Sequence, residues 1–472
     1  METKNNSYLA TEPIGKLIAK FSIPCIASLL IAALYNIVDQ IFIGWGVGYL
    51  GNGATNVVFP VTVIALAIAL MIGDGCAALL SICQGNNDSE SSHRSVGNAI
   101  VLMVALSIVM VAVLAIFRDS ILYTFGATEN TMPYAIDYFN VIIIGLPFYI
   151  ITSGLNSIIR ADGSPKFAMI STLAGCVMNI ILDPIAIFVL NWGVTGAAIA
   201  TIAGQIVSAI LGIVYLARAH SFRLKASSFR LSGKLIGRFL PLGFSSFLTQ
   251  VSIVIIMGVM NTTLVKYGAL SEYGEDIPMT VVGIVMKVFQ IVIAFVVGIA
   301  AGCQPIVGYN YGSGNVLRVK QIFKYMMWLE VIIGAVSTLA FQLFPVAIIS
   351  IFGSESGLYN QFATYTFRIY LSTILLCCVH KAISIFLQSL GKPIQSTVLS
   401  MMREFVLCVP LILLFPNWFE PAVMGPLYSA PVADVITIIV AVVMMIGVVK
   451  KLKKKAPETQ KVEETLATTD CE

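Results

Sequence analysis

The chain has 472 residues, 58% of them hydrophobic and 11% charged, with a mean hydropathy of +0.91. A soluble domain carries about 25% charged residues, so this sequence lacks the polar surface to cover itself in water. Its long apolar runs suit an all-α polytopic membrane protein, because a β-barrel would show short alternating segments instead. The net charge of +4 is spread over loops, which gives no reason to expect a nucleic-acid partner.

About twelve spans can be drawn at the length of ~20 residues that crosses a bilayer. In chain order they are 16–43, 55–83, 96–117, 133–158, 167–190, 194–217, 235–265, 278–307, 320–346, 359–386, 394–416 and 427–449. The polar N-terminus lacks a small-residue cleavage site after a short apolar core, so the first span is expected to be retained. Alternate loops differ in charge. One set holds Lys4, Lys16, Lys20, Arg94, Arg160, Lys166, the stretch Arg218–Arg238, Arg318, Lys320, Lys324, Lys392 and the tail from Lys450 to Lys455; the other holds Arg118 and Lys266. The bias places the first set, with both termini, in the cytoplasm. The expected location is the cell membrane.

The chain is an internal duplication. "GKLIAKF" at Gly15 returns as "GKLIGRF" at Gly233, and Gly75-Cys76 precedes Gly85 as Gly302-Cys303 precedes Gly312. "ADGSPK" at Ala161 answers "SLGKPI" at Ser389, so the offset moves only from 218 (233 − 15) to 228 (389 − 161). The expected organisation is a six-helix lobe over 1–218, a cytoplasmic linker over 219–232, a second six-helix lobe over 233–450 and a polar tail over 451–472. An even number of spans per half relates the halves by a pseudo-two-fold axis along the membrane normal, with a cleft between them. That is a transporter design. An enzyme is not expected: there are three histidines, His93, His220 and His380, and no HExxH or GxSxG motif. The nine cysteines form no CxxC, so neither a disulfide framework nor a zinc site is indicated. No cofactor is expected.

Polar residues inside the spans are the functional candidates, since a carboxylate at membrane depth costs several kcal/mol unless paired, protonated or wet. In the first span Asn36, Asp39 and Gln40 share a helical face, bordered by Tyr35. In the fifth, Asn179 and Asp183 are one turn apart, and Pro184 leaves the Ile180 carbonyl without its amide partner. Thr201 and Gln205 repeat the spacing in the sixth, and Ser153 and Asn156 face one way in the fourth. At ~1.5 Å per residue, Asp39 and Asp183 lie roughly 25–28 Å above Lys20 and Lys166, at nearly one level in the outer half of the bilayer. The two acids could share a proton or a hard cation such as Na⁺, or each could simply bond a neighbouring helix. Asp74, Lys287, Glu330, Arg368, Arg403, Glu404 and Asp434 are further intramembrane charges with weaker claims.

The motifs "PIGKLIAKFSIP", "LYNIVDQIFIG", "RADGSPKFAM", "MNIILDPIAIF", "GVTGAAIATIAGQ" and "GCQPIVGYNYGSGN" resemble those of the multidrug and toxic compound extrusion (MATE) family, in its DinF-like branch, over Gly15 to about Lys450. The resemblance implies two six-helix lobes around a V-shaped cleft, and antiport of organic cations against H⁺ or Na⁺. It implies a proton or cation site at Asp39, Asn179, Asp183 and Thr201, with no other metal. Tyr35, Asn36, Gln40, Asn156, Gln205 and Gln250 are expected to line the cleft. The sequence departs from the NorM branch, where a glutamate stands in the seventh helix at the place of Gln250 and an aspartate near Val379–His380. The expected partners are small cationic amphipathic substrates and the lipid bilayer, with the protein a monomer. The alternatives are export of one dedicated lipid or metabolite, and a membrane-embedded binding protein without transport.

The topology is testable by labelling single cysteines with an impermeant thiol reagent from outside intact cells, on a background lacking native cysteines. Gly274→Cys should label and Ser227→Cys should not; the reverse pattern would invert the orientation.

Overall fold

The computed structural model describes the backbone of residues 6–350 and 357–469, with the side chains of that range except Tyr49 and 451–469. Lys4 and the side chains of the charged tail therefore lie outside the described residues. Eleven helices are long and apolar enough to cross a membrane, or twelve if one bent pair counts as a single span. They are α1 (Ile14–Gly46), α2 (Tyr49–Gly85), α3 (Ser89–Ile116), α4 (Met132–Ala161), α5 (Pro165–Pro184), α6 (Gly193–Leu216), α7 (Gly233–Gly268), α8 (Asp276–Gly312) and α9 (Val316–Leu343), followed by the pair α10a (Gly357–Tyr370) and α10b (Ile374–Ser389). The span α11 starts as Pro393–Met401 and continues through a π-helical turn, Met402–Cys408, into Val409–Leu414; α12 is Ser429–Thr469. No strand occurs among the described residues.

Two departures from the expected spans have physical causes. The helices overrun their apolar stretches: α2 begins at Tyr49 rather than near 55, and α8 runs to Gly312 because Tyr309 and Asn310 are buried rather than solvated. The tenth span, drawn as one helix over 359–386, breaks at 371–373 and bends by 44°. There the Thr373 hydroxyl donates to Asp434 Oδ2 at 2.8 Å, and the Ser372 hydroxyl turns back to the Ile369 carbonyl. The serine bond is local and competes with a continuous helix, and the threonine bond ties the break to α12.

The chain packs as two compact units. The first comprises Met1–Ser7 and Lys20–Val251, the second Tyr8–Ala19 and Ser252–Glu472. In the first, α2 and α4 cross where neither has a side chain: a Cβ on Gly73 would lie 2.6 Å from Gly154 Cα. The start of α7 belongs to this unit and crosses α2 as tightly, since a Cβ on Gly243 would overlap the Met71 carbonyl oxygen. Small residues at crossings let backbones approach, which is how helices associate where lipid supplies no hydrophobic drive.

Side chains also strap the linker 219–232 to the first unit. Buried Asp162, in the "ADGSPK" loop, accepts from Tyr215 Oη at 2.5 Å, from the His220 and Ser221 amides at 2.7 and 2.8 Å, and from the Ser221 hydroxyl. Asn98 of α3 donates to the Ser228 and Arg230 carbonyls and accepts from the Ser232 amide at 2.7 Å. In the second unit the short helix Tyr8–Thr11 docks on α8, where Asn310 Nδ2 donates to the Leu9 carbonyl at 3.0 Å.

Two glycines of α7 test the packing. Gly243→Ala should lower the thermal midpoint of the purified protein, because overpacking costs about 1–3 kcal/mol. Gly258→Ala, with nothing within 4 Å of the added Cβ, should leave it level or raise it through helix propensity, worth up to about 1 kcal/mol. Equal midpoints would mean that the α2–α7 crossing relaxes freely.

Candidate functional site

The polar site of the first unit is assembled by two close helix contacts. The first joins α5 to α6. A Cβ on Gly175 would lie 2.6 Å from the Gly204 carbonyl oxygen, and the paired serines exchange bonds: Ser171 Oγ to the Ser208 carbonyl at 3.0 Å, Ser208 Oγ to the Ser171 carbonyl at 2.9 Å. One turn along from this crossing Asn179 meets Thr201, and Asn179 Nδ2 donates to Thr201 Oγ1 at 3.2 Å and to Asp183 Oδ1 at 3.3 Å. The second contact joins α1 to the π-helical turn Ile185–Val189 that follows Pro184. Gly46 abuts Ile187, and Phe42 stacks edge-on against Phe188 with ring centroids 6.3 Å apart. Asp39, Phe42 and Gly46 share a face of α1, so this contact carries Asp39 to Asp183, where the two carboxyls interact directly.

Asp183 is 0% exposed, Asn179 2%, and Asp39 and Thr201 8% each. Three of their oxygens have no hydrogen-bond partner among the described residues: Asp39 Oδ1, Asn179 Oδ1 and Asp183 Oδ2. Buried polar atoms are nearly always satisfied, so three orphaned acceptors in one place require an explanation. A proton between the carboxyls, or a hard cation with oxygen ligands, fits that donor set. Two carboxylates in contact in an apolar medium cannot both remain charged unless a positive charge joins them. The Asn179 amide, directed at Asp183 Oδ1 and Thr201, holds the other oxygens free.

Four of the sequence candidates, Asp39, Asn179, Asp183 and Thr201, are thus brought together. Tyr35 and Gln40 are half-buried on α1 beside them. Asn36 is exposed and folds back to the Ala32 carbonyl at 2.8 Å. Asn156 bridges α4 to α5: its Nδ2 donates to Thr172 Oγ1 at 2.8 Å and to the Ala168 carbonyl, and its Oδ1 accepts from Arg160. Gln205 is half-buried with its amide oxygen beside Gly145, and Gln250 is half-buried near the end of the first unit. Tyr138 was not singled out in the sequence. It is buried on α4 within electrostatic range of both Asp39 and Asp183. A tyrosine in an apolar span gives no polar-spacing signal, which is why it escaped notice.

Asp74 is held by Ser157 Oγ at 2.6 Å and Ser246 Oγ at 2.9 Å, with Arg160 Nη2 at 3.8 Å. The second unit has its own buried cluster. Asp434 Oδ1 takes Arg403 Nε at 3.1 Å and lies 3.3 Å from His380 Nε2, while Glu404 is paired with Arg403 Nη1 and Lys381 Nζ, each at 3.0 Å. Cys377, His380 and Asp434 come close enough to hold a metal, but Arg403 already occupies the Asp434 oxygen and, with Lys381, puts two fixed positive charges beside it. The donor set does not fit a cation.

The family profile MatE matches residues 24–185 and 241–414. Among curated relatives, the multidrug export protein MepA of Staphylococcus aureus (strain MRSA252) is 24% identical over 450 residues, covering 94% of this chain and 96% of that one. MepA of Staphylococcus haemolyticus (strain JCSC1435) is 25% identical over 459 residues, covering 96% and 98%. A crystal structure of MATE in the bent conformation superposes with a TM-score of 0.88 at 23% identity, over 97% of this chain and all of that one. An outward-facing multidrug resistance MATE family transporter of the MOP superfamily gives 0.88 at 22% identity, over 96% and 100%. Motifs, fold and profile agree, and the chain belongs to the MATE family of membrane transporters.

Proposed function

We propose that the protein is a secondary-active multidrug antiporter of the cell membrane, with both termini cytoplasmic. It exports cationic amphipathic compounds in exchange for H⁺ or Na⁺, and Asp39, Asn179, Asp183 and Thr201 form its ion site. The observation that carries this reading is the pair of facing buried carboxyls with three orphaned oxygens around them. The names of the curated relatives support the substrate class. Binding of the ion neutralises the pair and removes a desolvation penalty, which lets α1, α5 and α6 repack about the Gly175–Gly204 crossing. That shift favours release of substrate outward, and loss of the ion inward resets the site.

The available energy matches the task. One charge moved through 100 mV is worth about 2.3 kcal/mol, and one pH unit about 1.4 kcal/mol. A neutral substrate exchanged for one proton could be concentrated a few hundredfold under both, whereas a monovalent cation exchanged for H⁺ feels only the pH term.

Uptake of ethidium into inverted vesicles, with the pH and Na⁺ gradients collapsed one at a time, tests the reading. Collapse of one gradient should stop export and collapse of the other should not. Export that survives both collapses would overturn antiport, and competition by lipid-linked sugars but not by cationic dyes would indicate a dedicated lipid exporter. Asp39→Asn and Asp183→Asn each mimic a permanently neutral residue. Each should express normally, retain dye binding and lose gradient-driven efflux by at least about tenfold. Wild-type efflux by either variant at matched expression would remove that residue from the ion site.

A further inference from the structure

One buried acid of the second unit has no hydrogen-bond or ion-pair partner among the described residues. Glu330 lies midway along α9, is fully buried, and has no hydrogen-bond partner on either carboxyl oxygen among the described residues. Its helix meets α10b at very short range, since a Cβ on Gly334, one turn beyond Glu330, would lie 2.7 Å from Leu375 Cα. Cys378, one turn beyond Leu375, is the titratable side chain facing the acid across that contact.

The neighbouring charges are already matched. Arg403 and Lys381 are paired with Glu404 and Asp434, which leaves that cluster with two positive and two negative members, and His380 is turned to Asp434. Cys377, His380 and Lys381 lie on the flank of α10b that faces this cluster, with Asp434 contributed by α12. Lys287 on α8 and Arg368 on α10a belong to helices packed against α9, but both are exposed. Among the described residues, therefore, no positive charge is placed to balance a Glu330 carboxylate. An ionised carboxylate in such a setting is strongly disfavoured, and a buried acid without counter-ion or donor is held neutral. The break at 371–373 adds the means to change this. It lies just before Leu375, so rotation of α10b about the break would open the Gly334–Leu375 contact that seals the acid. Irregular backbone at membrane depth occurs where it lines a cavity or a moving part.

We propose that Glu330 is a second proton-binding site, in the second unit. It carries its proton in this conformation and gives it to water when the α9–α10b contact opens: the carboxylic acid and water become carboxylate and hydronium, and the reverse step reloads it. Its consequence for export rests on the antiporter reading; its protonation does not.

Infrared difference spectroscopy of the full-length protein in lipid reads the protonation directly, and the Asp39→Asn/Asp183→Asn background isolates Glu330 from the first unit. At neutral pH the spectrum should contain a carboxylic acid C=O band that is missing in Glu330→Gln, and that band should lose intensity on a step to alkaline pH or on addition of ethidium. Absence of the band would mean an ionised Glu330, and a band unmoved by both pH and ethidium would mean a static buried acid; either overturns the proposal. In the otherwise native protein, Glu330→Gln should bind ethidium yet lower pH-gradient-driven efflux by about tenfold, with partial recovery in Glu330→Asp. Efflux by Glu330→Gln equal to that of the parent overturns the proposal. If the parent itself shows no gradient-driven efflux, the antiporter reading fails and the infrared result alone decides Glu330.

Discussion

Asp183 is completely buried, and among the described residues its carboxyl accepts one hydrogen bond from a neutral donor, Asn179. Beside it stands a second buried carboxyl, Asp39. In an apolar medium two such carboxyls cannot both stay charged without a positive partner, and three oxygens around them have no partner among the described residues. The Gly175–Gly204 crossing and the reciprocal serine bonds set α5 against α6, so Asn179 reaches Thr201. The π-helical turn after Pro184 offers Ile187 and Phe188 to Gly46 and Phe42, which sets Asp39. Each contact has a glycine at its closest approach, Gly175 and Gly204 in the first and Gly46 in the second, so the helix backbones meet there without interlocked side chains on both sides. A transporter needs that property, because the states it cycles between must lie within a few kcal/mol of each other.

Much of this was legible in the sequence. The i, i+4 spacing of Asn179 and Asp183, the proline after them and the equal depth of Asp39 each follow from helix geometry and survive tertiary packing. What was not legible depends on which helix lies opposite. Asn156 has the same polar-in-span signature as Asn179, yet it is satisfied by Thr172, Ala168 and Arg160. Only the partner across the α4–α5 contact distinguishes them. Tyr138 is invisible because aromatic residues are ordinary in spans. The break in the tenth span could not be read from "YLSTILL", because the serine and threonine there act through Ile369 and through Asp434, far along the chain.

The two units treat buried charge differently. In the second unit Arg403, Lys381, Glu404 and Asp434 neutralise one another with bonds of 3.0–3.1 Å, a closed network that costs several kcal/mol to break. In the first unit Asp39 and Asp183 have no basic partner among the described residues, and with Asn179 they leave three orphaned oxygens. A closed network suits fixed geometry, whereas an open one suits exchange with a mobile ion. This contrast, rather than the number of intramembrane charges, supports the proposed ion site at Asp39 and Asp183, and it sets Glu330 apart from the closed cluster of its own unit.

Equilibrium binding of the ion to purified protein, without transport, isolates the Asp39–Asp183 pair from the rest of the cycle. Proton uptake is followed by titration and Na⁺ by radiotracer, in the parent and in the Asp39→Asn/Asp183→Asn variant. The parent should bind one of these ions saturably, and the variant should bind fewer by at least one per molecule. Binding of both ions by the variant at the parent's level would contradict the proposed site.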